Sequence, residues 1–570
     1  MRVCLVTPFP WSKPHDANDH VAGVAAALRR RGHDVTVLAS STRASDLVAG
    51  RRALQAGRLG EVLTLAPSVA VSPRGSVGVP VGVRASLRLA LQTGAFDVVH
   101  AIEPGVQGIS HLALLDAETT TVASFLDADR LSYPPRKQHR DRLLARVDVL
   151  VAPDETIAAA AAARFPGSYR SIPLGVDVWA GRAAARRRLV VIESSASGLA
   201  VARASLRALK ELPEWEAVVL RTSSLSARPA IPPALRSRVH VRTAPTAASR
   251  ATTLRGAAVF VPAPGGSARL RLEAEAAGCT VADPPGLAAQ PELATAALLR
   301  LAESGVEALP PPLAPPSFDE VAAELEVLYG QARERVRPVP QREADPLADR
   351  EWIVVDLHMH TSWSHDCSTP VPDLLDHAEA EGLGAIAVTD HNVFGGALEA
   401  VELARGRALT VIPGEEVKTD GQGEVIGLFL REEIPRGMSF ADTIAAIREQ
   451  DGIVYVPHPF DRLHAIPSPE TLHRHLPDID VLEVYNARLL FESFNDEALR
   501  FARKYGLLAG AGSDAHVLQG VGTGALRLRR FDGPEEFLLA LRTAEVLRRP
   551  KSLAYLQSLK WVAQVKEKVR

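Results

Sequence analysis

The chain has 570 residues, of which 46% are hydrophobic and 23% are charged. At about 150 residues per domain, this length predicts three to four domains, and the apolar fraction excludes wholesale disorder. The 65 Lys and Arg residues nearly balance the 67 Asp and Glu residues. This balance argues against a dedicated duplex nucleic-acid or membrane-surface binder, whose affinity depends on clustered positive charge.

The sequence also lacks the marks of export. Cys4, Cys279 and Cys367 are far apart and odd in number, so no disulfide framework is expected and a reducing compartment fits. Residues 1–8 do not have the apolar length or the cleavage site of a signal peptide. No run of 18 uncharged apolar residues is present, so we expect no membrane span and a cytoplasmic protein.

The N-terminal half alternates predicted strands and helices in two units, 1–174 and 175–336. A helix is predicted to end at the basic run before Gly32, and another covers 318–333. The predicted strands are 3–6, 35–38, 97–100 and 148–151 in the first unit, and 189–192, 217–220, 239–241 and 258–261 in the second. Such alternation predicts parallel sheets covered by helices, an α/β fold.

A Pro-rich and charged linker, 337–350, precedes a third α/β unit at 351–550, and 551–570 reads as a terminal amphipathic helix. The predicted strands of the third unit are 353–355, 385–388, 410–412, 453–456 and 481–484. Polar residues directly follow several of these strands. In barrel-like α/β folds, that end of the strands carries the chemistry.

Ten of the 17 histidines lie between His358 and His516, which is dense for this length of chain. His358 and His360 are spaced so that both side chains point to one face of a strand. Four further His, Asp or Glu elements follow at predicted strand exits: Asp390-His391, Glu415-Glu416, His458 and Asp514-x-His516. A single His-x-His pair is usually a surface feature, but five such elements together predict a site for Zn²⁺, Mn²⁺ or Fe²⁺.

These elements resemble the ordered motifs of the polymerase-and-histidinol-phosphatase (PHP) superfamily. The matching stretches are His358-Met-His-Thr361, Thr389-Asp-His391, Pro413-Gly-Glu-Glu416, Pro457-His-Pro459 and Ser513-Asp-Ala-His516. The resemblance implies a distorted (β/α)7 barrel with two to three divalent metal ions and the catalytic residues His358, His360, Asp514 and His516. The closest activity it implies is that of a nucleotide or oligonucleotide phosphatase or exonuclease.

The resemblance also implies three ligand sets. His358, His360, Glu416 and Asp514 would hold the first ion, Glu416, Glu424 and His458 the second, and Asp366, His391 and His516 the third. Many family members have His at the position of Glu424, and a carboxylate there favours harder ions such as Mn²⁺ or Mg²⁺. Glu415 is the alternative to Glu416, and Glu416 aligns better.

Bound divalent ions activate water and stabilise a departing oxygen, so phosphoester hydrolysis is the expected reaction. The substrate would be a phosphorylated small molecule or a nucleotide. Arg462 and Arg488 are candidate phosphate ligands because guanidinium groups match phosphate oxygens, although exposed, solvated arginines are an equally good interpretation. Asp356 and Asp390 are candidates for orienting the ligand histidines.

The first 340 residues resemble a retaining GT-B glycosyltransferase of family 4, which implies a pair of Rossmann-type lobes. The resemblance depends on residues 3–10, 97–100, 172–177 and 272–279, and it implies that Glu273 contacts a nucleotide sugar. The chain departs from the family at three places. Gly265 replaces the first of two paired glutamates, 16–20 lacks a Gly-Gly loop, and 193–197 lacks the Arg and Lys that bind donor phosphates.

Three hypotheses follow. The leading one is a phosphoesterase carried by the C-terminal barrel. The second is a bifunctional protein whose N-terminal module also transfers sugar from a nucleotide sugar, and the third gives that module a non-catalytic binding role. Without the cationic residues, a donor diphosphate loses its electrostatic partners, which favours an inactive or altered module.

Overall fold

The computed structural model describes residues 1–72, 75–78, 82–176, 186–195, 197–222, 228–264, 266–306, 314–334 and 345–549. The chain separates into two compact units, the first formed by 1–143 and 147–333 and the second by 144–146 and 334–570. Residues 337–344 of the predicted linker, Gly265 and the predicted helix 551–570 lie outside the described residues. Cys4, Cys279 and Cys367 are buried and free.

The first lobe of the first unit is an α/β layer with an eight-stranded sheet. Its strands are β1 Arg2–Pro10, β2 Asp34–Ser41, β3 Val62–Ser72, β4 Gly75–Gly78, β5 Val98–Ile102, β6 Thr120–Ser124, β7 Val149–Ala152 and β8 Tyr169–Ser171. Its helices are α1 Asp16–Arg30, α2 Ala44–Gln55, α3 Arg84–Gly94, α4 Ile109–Asp116, α5 Lys137–Leu144 and α6 Glu155–Ala162. The strand order is β4-β3-β2-β1-β5-β6-β7-β8, and every pairing except β3–β4 is parallel.

The second lobe has a five-stranded sheet in the order β11-β10-β9-β12-β13, parallel throughout. Its strands are β9 Arg187–Glu193, β10 Glu216–Arg221, β11 Val239–Thr243, β12 Ala257–Val261 and β13 Thr280–Val281. Its helices are α7 Leu199–Ala208, α8 Ala247–Leu254, α9 Ala268–Ala276 and α10 Leu293–Glu303. Apolar clusters cover both faces of this sheet. The two lobes are therefore Rossmann-type, as the GT-B resemblance implies.

The helix predicted over 318–333 is α11 Phe318–Arg333. The predicted boundaries assign this helix to the second lobe, 175–336, but it packs on the first lobe. Phe318, Val321 and Tyr329 pack in the same apolar cluster as Val3 and Leu28, so α11 contributes to the core of the first lobe. Its apolar spacing determines a helix with one buried face. That spacing does not determine which sheet covers the face.

The second compact unit contains a nine-stranded sheet with strand order β20-β19-β18-β17-β16-β15-β14-β21-β22. Its strands are β14 Trp352–Met359, β15 Ala385–Val388, β16 Thr410–Lys418, β17 Glu424–Leu428, β18 Ile453–Val456, β19 Val481–Asn486, β20 Leu508–Gly512, β21 Gly524–Arg529 and β22 Glu545–Arg548. Its helices are α12 Val371–Ala380, α13 Gly395–Leu403, α14 Phe440–Glu449, α15 Pro469–Arg474, α16 Glu492–Tyr505 and α17 Gly533–Leu541.

Seven of these strands, β14 to β20, form the distorted barrel that the family resemblance implies. The distortion is β17, which returns directly from β16 as a hairpin and pairs antiparallel with both of its neighbours. A bridge between Met359 and Ala515 joins the two ends of the seven-stranded set. One apolar cluster packs the strands against α12 to α16, and a second packs them against one another and α17.

Candidate metal centre

The first two histidines lie at the seam where the barrel closes. Because β14 extends to Met359, His358 lies inside the strand, whereas the sequence places it after the strand. The backbone N–H of Asp514 donates to the His358 carbonyl at 2.8 Å, and that of His360 donates to the Ala515 carbonyl at 3.0 Å. These two bonds bring the motifs at 358–360 and 514–516 side by side.

Glu415 and Glu416 also lie inside a strand, because β16 continues to Lys418. Successive strand residues point to opposite faces, so only one of the two can face the histidines. Glu415 turns away, and its Oε2 accepts the backbone N–H of Ile434 at 2.9 Å. Glu416 faces the histidines, in agreement with the assignment that the resemblance favours.

Glu416 is the centre of the cluster and is 1% exposed. Its Oε2 lies 3.3 Å from His358 Nε2, 3.4 Å from His360 Nε2 and 3.1 Å from His391 Nδ1. Its Oε1 lies 3.1 Å from His458 Nε2. One carboxylate thus reaches four imidazoles that come from three strand ends, those of β14, β15 and β18.

The other predicted ligands surround this centre. His516 Nε2 lies 2.9 Å from Asp366 Oδ2, and His391 Nε2 lies 3.9 Å from Asp366 Oδ1. Asp514 Oδ1 lies 3.5 Å from His360 Nε2. Glu424 Oε2 lies 3.8 Å from His458 Nε2, because antiparallel β17 begins at the edge where the parallel strands end.

The residues present fit divalent ions. Several groups of three ligand atoms lie within 4.8 Å of one another: His358, His360 and Glu416; His360, His391 and His516; His358, His458 and Asp514; and His391, Glu416 and Glu424. Among the residues that the structure describes, His360 Nε2 is buried and has no hydrogen-bond partner, and leaving a buried nitrogen unpaired is costly. Imidazole and carboxylate donors together suit first-row divalent metals.

Charge coupling within the cluster is strong. Burial would raise the pKa of Glu416, but the imidazoles of His358 and His391 outweigh burial and hold it well below the ordinary value. Burial would lower the pKa of His458, but Glu416 outweighs it and raises the pKa to about 9. The pKa of His391 is raised to about 9 in the same way. The acidic groups thus attract positive charge into the cluster.

Two of the predicted ligands have strained backbones. Asp514 has φ of 51° and His458 has φ of 26°, which are left-handed values that non-glycine residues rarely adopt. Each such residue costs about 1–3 kcal/mol, and such strain clusters at functional sites. The surrounding hydrogen bonds hold both residues in place, including the bond from the His458 backbone N–H to Glu483 Oε2 at 2.7 Å.

Sequence reasoning missed Glu483 as a part of this site. Glu483 is 1% exposed in β19, and its Oε1 lies 3.1 Å from His358 Nδ1 and accepts the Tyr455 hydroxyl at 2.9 Å. Asn486 Nδ2 donates to Glu483 Oε2 at 3.0 Å and contacts Asp514 Oδ2 at 3.3 Å. The signal in the sequence was an acidic residue inside the otherwise apolar predicted strand 481–484.

Asp390 and Asp356 act less directly than the sequence suggests. Asp390 accepts the Ser364 hydroxyl at 2.8 Å, and Ser364 Oγ lies 3.2 Å from His360 Nδ1, so Asp390 reaches the ring through a serine. Asp356 accepts the backbone N–H groups of Ser513 and Gly522, both at 2.9 Å. Asp356 therefore positions main chain and does not touch a ligand imidazole.

The two candidate phosphate ligands have different surroundings. Arg488 Nη1 lies 3.0 Å from Asp514 Oδ1 and 3.2 Å from His516 Nδ1, at the cluster. Arg462 Nη2 donates to Glu497 Oε2 at 2.7 Å, and its guanidinium lies over the Phe494 ring. The structure thus brings Arg488 to the predicted ligands and engages Arg462 with residues of α16.

Glu273 is buried in α9 of the first unit, and both of its carboxylate oxygens are occupied. Arg250 Nη2 donates to Oε1 at 2.7 Å, and Arg250 Nε donates to Oε2 at 2.5 Å. Arg269 Nε also donates to Oε1, at 3.0 Å. Arg250 further pairs with Asp19 of the first lobe at 2.8 Å. This residue, which the resemblance implies for nucleotide-sugar binding, already has two cationic partners.

Comparison with known families agrees with the barrel fold of the second unit. Residues 356–493 match the PHP domain, and residues 492–546 match the PHP-associated family. The C-terminal part of the chain belongs to the PHP family. The match to the PHP domain includes all of the predicted ligands except Asp514 and His516, which lie within the PHP-associated match. In the N-terminal half, residues 17–179 match Glycosyltransferase Family 4.

Individual relatives cover parts of the chain. An uncharacterized protein of Methanocaldococcus jannaschii is 34% identical over 212 residues, which are 35% of this chain and 84% of that protein. The phosphatidyl-myo-inositol mannosyltransferase of Propionibacterium freudenreichii is 31% identical over 157 residues, 27% of this chain and 40% of that enzyme. The crystal structure of PsfC from Pseudomonas syringae aligns with a TM-score of 0.31 and 18% identity, covering 38% of this chain and 99% of PsfC.

Among the described residues, no helix combines the length and the apolar character that a bilayer crossing requires.

Proposed function

We propose that the PHP domain is a metal-dependent phosphoesterase whose substrate is a phosphorylated small molecule or a nucleotide. The observation that carries the proposal is the buried cluster around Glu416, in which four imidazoles from three strand ends meet one carboxylate at 3.1 to 3.4 Å. Such a concentration of buried titratable groups is typical of a functional site.

The proposed ligands are His358, His360, Asp366, His391, Glu416, Glu424, His458, Asp514 and His516. When bound, divalent ions at these residues would polarise phosphate oxygens and activate water. Glu416 lies between the proposed sets and would be shared by two ions. The carboxylate of Glu424, where relatives of this family often have His, favours Mn²⁺ or Mg²⁺ over softer ions.

Arg488 is the proposed phosphate ligand. Its contacts to Asp514 and His516 use one terminal nitrogen, Nη1, and a guanidinium has five N–H donors. The remaining donors can bind phosphate oxygens beside the proposed ions. Arg462 is less suited to this role because Glu497 already neutralises it at 2.7 Å.

The test is metal analysis and a phosphoester hydrolysis panel on the purified full chain, with Mn²⁺, Mg²⁺ or Zn²⁺ added. We expect bound metal and hydrolysis of at least one phosphomonoester or oligonucleotide. His360→Ala should lose both, because His360 Nε2 faces Glu416 and Asp514. His377→Ala is the matched control, since His377 lies on α12 beside Glu381 and outside the cluster. Wild-type protein that holds no metal and cleaves no phosphoester would refute the proposal.

A second candidate function is sugar transfer from a nucleotide sugar by the N-terminal unit. It is supported by the family 4 match and by relatives that are named mannosyltransferases. The competing role for this unit is non-catalytic binding. Transfer of radiolabelled mannose from GDP-mannose to any lipid or polyol acceptor by the full chain would establish the first and exclude the second.

A further inference from the structure

The second lobe has a position where a phosphate group would be expected to bind. In its parallel sheet, the chain passes from β9 to β10 and β11 on one side and returns to β12 on the other side. In open α/β sheets, ligands bind outside the carboxyl ends of the strands at such a reversal of strand order. Here that position lies between the ends of β9 and β12, at the N-terminus of α9.

A side chain of the protein itself fills this position. Glu193 is the last residue of β9, and it is 6% exposed. Its Oε2 accepts the backbone N–H of Ala263 at 2.9 Å, and its Oε1 accepts that of Ser267 at 3.0 Å. Ser267 is the N-cap of α9. The carboxylate therefore receives the N–H groups that a phosphate would receive at a helix N-terminus.

The loop before α9 packs tightly against the Glu193 carboxylate, and backbone groups, not cationic side chains, balance the charge of that carboxylate. A Cβ atom on Gly266 would collide with Glu193 Oε2, so the loop approaches the carboxylate as only glycine allows. In the part of the chain that the structure describes, no Lys, Arg or His forms an ion pair with Glu193. The backbone N–H groups and the positive end of the α9 dipole compensate its charge, as they would for a bound anion.

The ion pairs of Glu273 are independent evidence that side chains of the protein itself occupy the region around the N-terminus of α9. Arg250 and Arg269 engage both oxygens of Glu273, and Arg250 extends to Asp19 of the first lobe. Glu193 and Glu273 both have their carboxylate oxygens engaged by groups of the protein itself. A bound diphosphate would have to displace Glu193 from two hydrogen bonds and would also meet its negative charge.

We propose that Glu193 is a built-in anion that occupies the phosphate position of the second lobe and excludes nucleoside diphosphates from it. This proposal decides against the second candidate function, sugar transfer from a nucleotide sugar, and favours the non-catalytic binding role for the N-terminal unit. The inference concerns only the first compact unit, so it stands or falls separately from the phosphoesterase function of the PHP domain.

The test is hydrogen–deuterium exchange on the full chain, with 1 mM UDP or GDP as the probe and with EDTA present. Because exchange is measured for each peptide separately, nucleotide binding in the PHP domain would change exchange only in peptides of that domain. In the wild type, neither nucleotide should change exchange over residues 262–276. In Glu193→Ala, the Ala263 and Ser267 amides should exchange at least about tenfold faster because they lose their acceptor. Added nucleotide should restore their protection.

Two further variants complete the design. Glu193→Gln keeps the size of the side chain but removes the charge, so it should fold and should also gain nucleotide-dependent protection. Glu216→Ala, at an exposed position at the start of β10, should behave as the wild type does. Protection of 262–276 by nucleotide in the wild type would overturn the proposal. Folded Glu193→Ala and Glu193→Gln proteins that gain no protection would also overturn it.

Discussion

At the residue scale, adjacent residues of the same type have opposite environments. Glu416 contacts four imidazoles, whereas Glu415, one position earlier, bonds to the backbone of Ile434 on the other face of β16. Burial raises the pKa of Glu415 to about 7, while the histidines hold that of Glu416 well below its usual value. The alternation of the strand separates a proposed ligand from a neighbour of identical chemistry.

Substitution of each glutamate by glutamine provides a matched pair. Glu416→Gln should lose most bound metal and nearly all phosphoesterase activity, because the proposed ions lose a shared anionic ligand. Glu415→Gln should keep both, since its carboxylate lies outside the cluster. Metal content measured by plasma mass spectrometry, together with initial rates, checks both variants. Equal losses in the two variants would contradict the proposed ligand set.

Glu483 is the proposed positioning residue for His358. Its contact with His358 Nδ1 would fix the tautomer that leaves Nε2 free for an ion, and such outer carboxylates typically contribute 10–100-fold in metal affinity. Glu483→Gln should therefore weaken metal binding by about 10–100-fold. Competition with a chromophoric chelator measures this change without an activity assay.

Tyr455→Phe is the control for that variant. Tyr455 also bonds to Glu483, at 2.9 Å, but among the described residues its hydroxyl makes no hydrogen bond to a proposed ligand, so its loss should change metal affinity much less. If both variants reduce affinity equally, Glu483 acts only through general packing of this region.

At the element scale, the close approach of β14 and β20 builds the site. A Cβ atom on Gly512 in β20 would collide with the His358 side chain and would lie 2.9 Å from the His358 backbone nitrogen. The absence of a side chain there lets the barrel close across these strands. Closure then brings His358 and His360 beside Asp514 and His516.

Gly512→Ala should therefore disturb both packing and metal binding. Forcing a methyl group into this contact should destabilise the PHP domain by about 1–3 kcal/mol. Gly330→Ala in α11 is the control, because nothing lies within 4 Å of the added atom and alanine favours a helix. Thermal unfolding and chelator competition should show losses for Gly512→Ala and little change for Gly330→Ala.

At the scale of the whole molecule, the chain consists of two compact units, and the proposed ligands all belong to the second. An ion that binds only the folded state stabilises it by about 2.7 kcal/mol at one hundred times the dissociation constant. That stabilisation should act on the PHP domain alone. The first unit contributes none of the proposed ligands.

Calorimetry of the full chain should therefore show two transitions with different responses to metal. Added Mn²⁺ should raise the melting temperature of one transition, and EDTA should lower it, while the other stays constant. In Glu416→Gln, neither transition should respond to Mn²⁺. A single transition that shifts as a whole would show that the two units unfold together.

Much of the fold could be predicted because its signals are local. Strands at 385–388 and 453–456 match β15 and β18 residue for residue, and α11 occupies the predicted 318–333. The β16–β17 hairpin was not predicted: the predicted strand 410–412 ends before Glu415, whereas β16 continues to Lys418. Its antiparallel return depends on pairing with β18, a contact that local periodicity does not encode.

By itself, the sequence determined the residue types of the candidate site, their order and the alternation of strands and helices, since these depend on side-chain chemistry and local periodicity. Only the tertiary structure decided which groups meet. The tertiary structure placed Glu483 in contact with His358 Nδ1, Glu193 at the N-terminus of α9, and α11 on the first lobe. Each of these contacts joins residues distant in the chain, and their distances are fixed by strand register and by the packing of buried faces.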